Sequence, residues 1–176
     1  MDAIQGIRQG LDFIHRSFRS AADGLSDEQL HWSPEGESHS IAWILWHAAR
    51  IEDLFVHQVF QGKPAEWDTG GWAAKTGLPE RGFGTGQPTA EAKAVRIANL
   101  DAFAQYAAKV ADLADELVAG LTEDDLNREV KLGERTETLG QSITLHLITH
   151  LNGHRGEINI LRGMMGLQPV LPNQGG

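Results

Sequence analysis

The sequence predicts an all-α protein in which four helices pack into a single bundle. Apolar residues recur at steps of three and four in four separate segments, which is the spacing of one helix face. Glycine and proline are concentrated between those segments, and no segment shows a strong strand pattern. The length of 176 residues suits one domain, so we expect residues 1–176 to form a single unit.

The first two helices are predicted over residues 3–22 and 41–60. The stripe of the first helix consists of Ile4, Ile7, Leu11, Ile14 and Phe18. A turn-forming segment that closes at Pro34 separates the two helices. Ser38 or Ser40 is expected to begin the second helix, because a serine hydroxyl accepts a hydrogen bond from a free amide of the first turn.

The last two helices are predicted on either side of a polar linker. The third covers residues 90–119 and ends near Gly120. The fourth begins at Thr138, which forms a capping box with Gln141, and runs to about residue 165. The linker between them shows no strong strand pattern.

Residues 62–88 are predicted to form a long loop between the second and third helices. The segment is dense in glycine and proline and carries Trp67 and Trp72. Long loops in small domains are often lids over a site, and the two tryptophans would give such a lid an apolar wall. A plain cover over apolar helix surface explains the composition equally well.

The composition excludes several classes of protein. The chain has no cysteine, which excludes disulfides, thiolate metal sites and a cysteine nucleophile. Its net charge of −9 argues against a nucleic-acid partner, since that affinity depends largely on lysine and arginine. No apolar run reaches membrane-spanning length, and the charged N-terminus differs from a signal peptide. We expect a cytoplasmic protein with no membrane contact that acts on a small molecule.

Three of the eight histidines fall on apolar helix faces: His47, His150 and His154. At about 100° per residue, His47 lies within the stripe of the second helix, His154 within that of the fourth and His150 on its edge. The spacing of His150 and His154 places their side chains about 5–6 Å apart at the helix surface. A buried polar group without partners costs about 1–3 kcal/mol. The three histidines therefore predict a shared metal ion, because neutral imidazole binds zinc, nickel, iron and copper.

Two familiar histidine motifs do not fit the chain. A zinc protease needs glutamate directly after the first histidine, and Leu151 occupies that position. Di-iron bundles need paired Glu-x-x-His motifs, and only Glu28 with His31 matches. A haem held by two histidines stays possible, although the chain has no haem attachment sequence.

Other polar residues near the predicted ligands are candidates for the surrounding pocket. His146 lies on the flank of the fourth helix, and Glu157 lies one turn after His154. Glu157 could orient a ligand or move a proton, or it could form only a surface salt bridge. Arg155 could hold the helix or an anionic substrate. The remaining histidines include His15, His31 and His39, which are expected at the surface.

Three segments resemble the signatures of the DinB-like superfamily. They are L-x-x-x-x-L-x-W-x-P (25–34), SIAWILWHAARIEDLF (40–55) and HLNGHRGEI (150–158). The superfamily includes YfiT-type metal-dependent hydrolases, bacillithiol transferases and the N-terminal domain of mycothiol-dependent maleylpyruvate isomerase. The resemblance spans nearly the whole chain. Its most specific part is one histidine in the second helix together with H-x-x-x-H-R-G in the fourth.

The resemblance implies an up-down-down-up four-helix bundle with a metal held by His47, His150 and His154. It further implies zinc or nickel, and a thiol-dependent S-transferase that acts on a small electrophile. Three protein ligands leave an ion one open position, where a thiol or water would be activated. With no cysteine in the chain, the thiol must be an external low-molecular-weight compound. A metal-dependent hydrolase and a non-catalytic metal-binding or stress-response protein are the alternatives.

The second helix is also apolar on the face opposite His47. Leu45, Val56 and Phe60 lie there. A helix that is apolar on two faces must be covered twice, which predicts a homodimer. The 62–88 loop is the other cover available within one chain.

Overall fold

The computed structural model describes residues 2–35 and 38–171, and its four long helical segments form a bundle. The helices are α1 (Ala3–Arg19), α2 (Asp27–His31), α3 (Ile41–Asp53), α4 (Glu66–Thr69), α5 (Trp72–Thr76), α6 (Thr89–Ala94), α7 (Leu100–Ala119), α8 (Leu139–Ser142) and α9 (His150–Met164). π-Helical turns over Leu54–Val59 and Ile143–Thr149 extend α3 and join α8 to α9. α1 and α3 each pack against both α7 and α9, which confirms the predicted all-α bundle. No helix within the described residues is long and apolar enough to cross a membrane.

Side-chain caps begin the helices where the sequence predicts them. The Ser40 hydroxyl accepts a hydrogen bond from the Trp43 amide and begins α3. Thr138 and Gln141 make both bonds of the capping box that begins α8. These caps satisfy amides that have no carbonyl partner within the helix.

The helix α3 lies at the centre of the fold, and all 13 of its residues are buried. On the face opposite His47, Leu45, Val56 and Phe60 are 5%, 0% and 4% exposed within the single chain. A second subunit is therefore not needed to cover this face. The apolar pattern that predicted a homodimer is explained by packing within one chain.

The predicted third helix is divided in two, so the prediction of one helix over 90–119 is wrong. The chain leaves the helical path after α6 because Val95 and Ile97 turn into the core, where each is 4% exposed. The Ile97 amide donates a hydrogen bond to Nε2 of His31, and the Asn99 side chain then caps α7. Tertiary contacts therefore override a helical periodicity that continues through the break.

The linker before the fourth helix contains a β-hairpin, which the sequence pattern does not indicate. Strands β1 (Glu129–Leu132) and β2 (Arg135–Thr138) pair antiparallel, with Gly133 at φ +63° in the turn. Only Val130 of this hairpin is buried in the core, so the strands lack a visible alternation of apolar residues. The hairpin places Glu137 beside the π-helical turn that precedes α9.

A buried carboxylate joins the 62–88 segment to the bundle. Asp53, at the end of α3, has no exposed surface. Its carboxylate accepts hydrogen bonds from the backbone amides of Glu66 and Trp67 and from the Tyr106 hydroxyl, and His57 Nδ1 lies 2.7 Å from it. This segment is therefore folded onto α3 through α4 and α5 and is not an irregular loop throughout.

His15 and His31 are expected at the surface, but both side chains are buried. The His15 ring is 4% exposed, with Nε2 2.7 Å from Glu52 Oε1 and Nδ1 3.3 Å from Asp115 Oδ1. The His31 side chain is also 4% exposed, and its Nδ1 donates to the Asp27 carbonyl. Both histidines lie on helices with charged neighbours in sequence, which concealed their burial.

The ion pair of His15 predicts a pH-dependent stability. Burial lowers the pKa of His15, but the carboxylates of Glu52 and Asp115 outweigh it and raise the pKa to about 10 from 6.5. A pKa that is higher in the folded state stabilises the protein fully below pH 6.5, and this contribution is lost as the pH rises towards 10. Urea unfolding should therefore show a lower midpoint at pH 9.5 than at pH 6.5. The decrease should be smaller in His15→Gln, and an equal decrease in both proteins would exclude His15 as its source.

Candidate metal centre

Three imidazoles converge where α3 meets α9. His47 lies in the middle of α3, His150 is the first residue of α9, and His154 follows one turn later. The Nε2 atom of His150 lies 3.0 Å from Nε2 of His47 and 3.0 Å from Nε2 of His154. The three donor atoms lie within 4.8 Å of one another, which is close enough to share one ion. The structure therefore brings together the three predicted ligands.

Hydrogen bonds at the far side of two rings fix where their lone pairs point. His47 Nδ1 bonds to the Phe83 carbonyl, and His154 Nδ1 lies 2.8 Å from Glu157 Oε2. A carbonyl and a carboxylate only accept, so both Nδ1 atoms carry the hydrogen. In a neutral ring the Nε2 atom is then an acceptor, and the Nε2 atoms of His47 and His154 both face His150.

This arrangement fits a cation better than it fits three imidazoles alone. His150 Nε2 has one hydrogen at most and can satisfy only one of the two lone pairs aimed at it. Its Nδ1 is buried and makes no hydrogen bond. Nitrogen ligands at about 2.0–2.1 Å around a tetrahedral ion lie about 3.3 Å apart, close to the 3.0 Å of the two pairs that include His150. A divalent ion would satisfy all three lone pairs.

The electrostatics of the cluster also favour ligation. Burial, with a smaller contribution from neighbouring imidazoles, lowers the pKa of His47 and of His150 to about 4, and the hydrogen bond to the Phe83 carbonyl only partly opposes this for His47. Both rings are therefore neutral at pH 7, the form in which histidine binds metals. No proton has to be displaced from them at that pH.

A cavity of about 480 Å³ opens beside the three histidines. Its lining includes His39, Trp43, His47, Phe55, Phe83, Gly84, Gln87, His146 and His150. The Trp43 ring is stacked between His39 at 3.7 Å and His47 at 4.7 Å, and its Nε1 donates to Gln87. The centre therefore has a volume next to it that suits a small ligand.

A family model described as the DinB superfamily matches residues 11–158. This chain belongs to the DinB superfamily. The crystal structure of a conserved protein from Enterococcus faecalis is similar to it, with a TM-score of 0.81 and 21% identity over 94% of this chain and 99% of that one. At this identity the similarity establishes the shared fold alone. No curated protein matches the chain.

Two predicted pocket residues of this DinB-superfamily chain contact the site. Glu157 holds His154 by the hydrogen bond described above, so its side chain orients a candidate ligand. His146 lines the cavity, where its ring stacks on Phe55 at 4.3 Å and its Nε2 lies 3.0 Å from Glu137 Oε2. The π-helical turn and the β-hairpin together place this pair, and neither was evident from the sequence.

Three other predicted pocket residues lie elsewhere. Trp67 and Trp72 are buried in the core, where their indole N–H groups donate to the Glu80 carbonyl and to Glu66. The guanidinium of Arg155 packs over Phe13 of α1 and does not line the cavity. The predicted aromatic wall of tryptophans is therefore wrong, because these rings fasten the segment to the core.

Several residues of the cavity were missed or misplaced. His39 was expected at the surface, yet it lies in the cavity with a buried Nδ1 that makes no hydrogen bond. Trp43 could have been found, since it lies one turn before His47 on the same face of α3. Phe83, Gly84 and Gln87 belong to a glycine-rich stretch without periodicity, which gave no signal for their position.

Gly84 approaches the centre too closely for any side chain. At φ +89°, a Cβ there would lie 2.7 Å from Trp43 Cζ2 and 3.2 Å from His47 Nδ1. We expect Gly84→Ala to lower the unfolding free energy by about 1–3 kcal/mol more than its control, and to weaken metal binding. The control is Gly86→Ala, which has a similar φ of +71° and no atom within 4 Å of the added carbon. Urea unfolding and metal titration give both quantities, and equal effects of the two substitutions would contradict the close contact.

Glu157 is expected to strengthen metal binding through its hydrogen bond with His154. We expect Glu157→Gln to weaken metal binding by about tenfold, because outer carboxylates make a histidine ligand more basic and fix its ring. Glu116→Gln is the control, since it removes an equal charge from the exposed surface of α7. Competition titration against a chelator measures the affinity. An unchanged affinity in Glu157→Gln would show that this hydrogen bond does not contribute to metal binding.

Proposed function

We propose that this chain is a metal-dependent transferase that joins the sulfur of a small external thiol to an electrophile. The observation that carries the proposal is the convergence of three imidazole lone pairs beside a ligand-sized cavity. A zinc or nickel ion held by three histidines keeps a position for an exogenous ligand and lowers the pKa of a thiol or water bound there. With no cysteine in the sequence, the sulfur must come from outside.

Different residues of the chain would have separate roles at this site. His47, His150 and His154 would hold the ion, while the Phe83 carbonyl and Glu157 keep two of the rings in position. The aromatic rings of Trp43, Phe55 and Phe83 would receive the apolar part of the electrophile. His146, which contacts Glu137, would take the proton released by the incoming thiol.

The same histidine–carboxylate pair also supports a hydrolase as the second candidate. His146 and Glu137 form a histidine–carboxylate pair of the kind that serves as a general base. In a hydrolase, this pair would accept a proton from water in place of a thiol. The third alternative is a protein that binds metal without catalysis.

A thiol-dependent screen separates the three candidates. Protein loaded with zinc or nickel would be assayed on a panel of electrophiles with bacillithiol, mycothiol or glutathione, and again without thiol. The proposal expects turnover that needs both metal and thiol and that is lost in His150→Ala. Metal-dependent turnover without thiol would identify a hydrolase. A protein that binds metal and turns over no electrophile would be a metal-binding protein alone.

A further inference from the structure

A second cavity lies on the other side of α3 from the metal centre. It has a volume of about 370 Å³ and extends between α1 and α7 to the surface of α3. Ala48 and Leu151 line it, although each directly follows a candidate ligand in sequence. No residue that lines the cavity of the metal centre also lines this one. The two volumes are therefore separate sites in one bundle.

Small side chains make the cavity and large ones bound it. Alanines of α3 and α7 line much of the space between the helices. Ile14, Phe18, Leu45 and Phe103 contribute the larger apolar surfaces. The volume lies within the range of about 300–1,000 Å³ typical of small-molecule sites, and its walls suit an apolar body.

The apolar walls enclose one buried carboxylate. Glu52 lines the cavity and is 5% exposed. Its Oε1 is paired with His15, and the structure as described gives Oε2 no hydrogen-bond partner. Oε2 is not fully enclosed by protein atoms, so it is an accessible acceptor on the lining of the cavity.

The charges around the cavity favour a cation. His15 is protonated at neutral pH because its pKa is raised to about 10, yet it lies between two carboxylates, Glu52 and Asp115. That group of three therefore has a net negative charge. Asp23 and Asp101 add negative charge to the lining, whereas the charge of Arg19 is matched by its ion pair with Asp112.

We infer that this cavity binds a small apolar amine, with its hydrocarbon body between α1 and α7 and its ammonium group on Glu52. The ammonium would donate a hydrogen bond to Oε2 and complete the pairing of the buried carboxylate. An anionic ligand of the same shape would face uncompensated negative charge. This inference does not depend on the metal centre or on its proposed chemistry.

Three naphthyl compounds that differ only in their polar group test this selectivity. They are 2-(1-naphthyl)ethylamine, 2-(1-naphthyl)ethanol and 3-(1-naphthyl)propionate, each titrated into the full-length protein by calorimetry. We expect the amine to bind about tenfold or more tightly than the other two, the value of one charge-assisted hydrogen bond. In Glu52→Gln, which keeps the shape of the side chain, the amine should lose this advantage.

A substitution at the mouth of the cavity tests the location. Ala104 lines the cavity but is exposed, so Ala104→Trp should fold normally while it obstructs entry. We expect it to weaken amine binding at least tenfold, whereas Gln105→Trp, on the neighbouring exposed position outside the lining, should not. The inference is overturned if no amine binding is detected, if the propionate binds as well, or if Ala104→Trp binds like wild type.

Discussion

The substitution His150→Ala should reduce the metal content from about one divalent ion per chain to background. His150 is the central ligand, since its Nε2 lies 3.0 Å from Nε2 of both His47 and His154. Its loss leaves two donors, and a site of two ligands on separate helices binds far more weakly than one of three. Elemental analysis of purified protein measures this content.

His39→Ala is the matched control for this experiment. His39 lines the same cavity but does not belong to the group of three converging histidines. The control should therefore retain its metal while its cavity becomes larger. A wild-type metal content in His150→Ala would exclude the assignment, and so would a loss of metal that is equal in the two variants.

The second large effect should be on stability, where Asp53→Ala is expected to cost about 3–5 kcal/mol of unfolding free energy. The carboxylate has no exposed surface. It accepts hydrogen bonds from two backbone amides and the Tyr106 hydroxyl, and it contacts the His57 ring. Its removal leaves the two backbone amides buried without a partner, whereas Tyr106 and His57 lose their shorter bond and keep a contact of 3.3 Å to a backbone carbonyl. Urea denaturation measures the difference.

Asp68→Ala is the control for Asp53→Ala. Asp68 belongs to the segment that Asp53 fastens, but its side chain is exposed, so the substitution should change stability by less than about 0.5 kcal/mol. Asp53→Asn should lie between the two, since it keeps an acceptor for the amides. A loss below about 1 kcal/mol in Asp53→Ala would contradict the role of this carboxylate in holding α4 to α3.

The features that the sequence predicted correctly depend on residues that lie close together along the chain. Caps at Ser40 and Thr138 were predicted because a side chain and its amide lie three residues apart. The histidines His47, His150 and His154 were found because helix periodicity places each on an apolar stripe. These features need no knowledge of how distant segments meet.

The features that were missed depend on distant contacts. Trp67 and Trp72 lie in a glycine-rich stretch that suggested a lid, and only the contact with Asp53 and Glu66 shows that they are core residues. The partners of His15 lie 37 and 100 positions away along the chain, on α3 and α7. The pattern of residues within one helix cannot indicate contacts between residues that lie this far apart in the sequence.

The surroundings of His146 show the same limit in another way. A regular α-helix places it on the flank of the fourth helix, but the chain is π-helical over Ile143–Thr149. The extra residue per turn alters the direction of every side chain before His150. The partner Glu137 belongs to a hairpin with one buried residue, so neither half of the pair could be placed from periodicity.

Anomalous diffraction from crystals of the metal-loaded protein tests the central claim most directly. Data collected at the absorption edge of the bound metal should show one strong peak per chain, at about 2.0–2.1 Å from Nε2 of His47, His150 and His154. Such a peak would place the ion at the predicted ligands. A peak at any other group of side chains, or its absence at the histidines in protein that contains stoichiometric metal, would contradict the account.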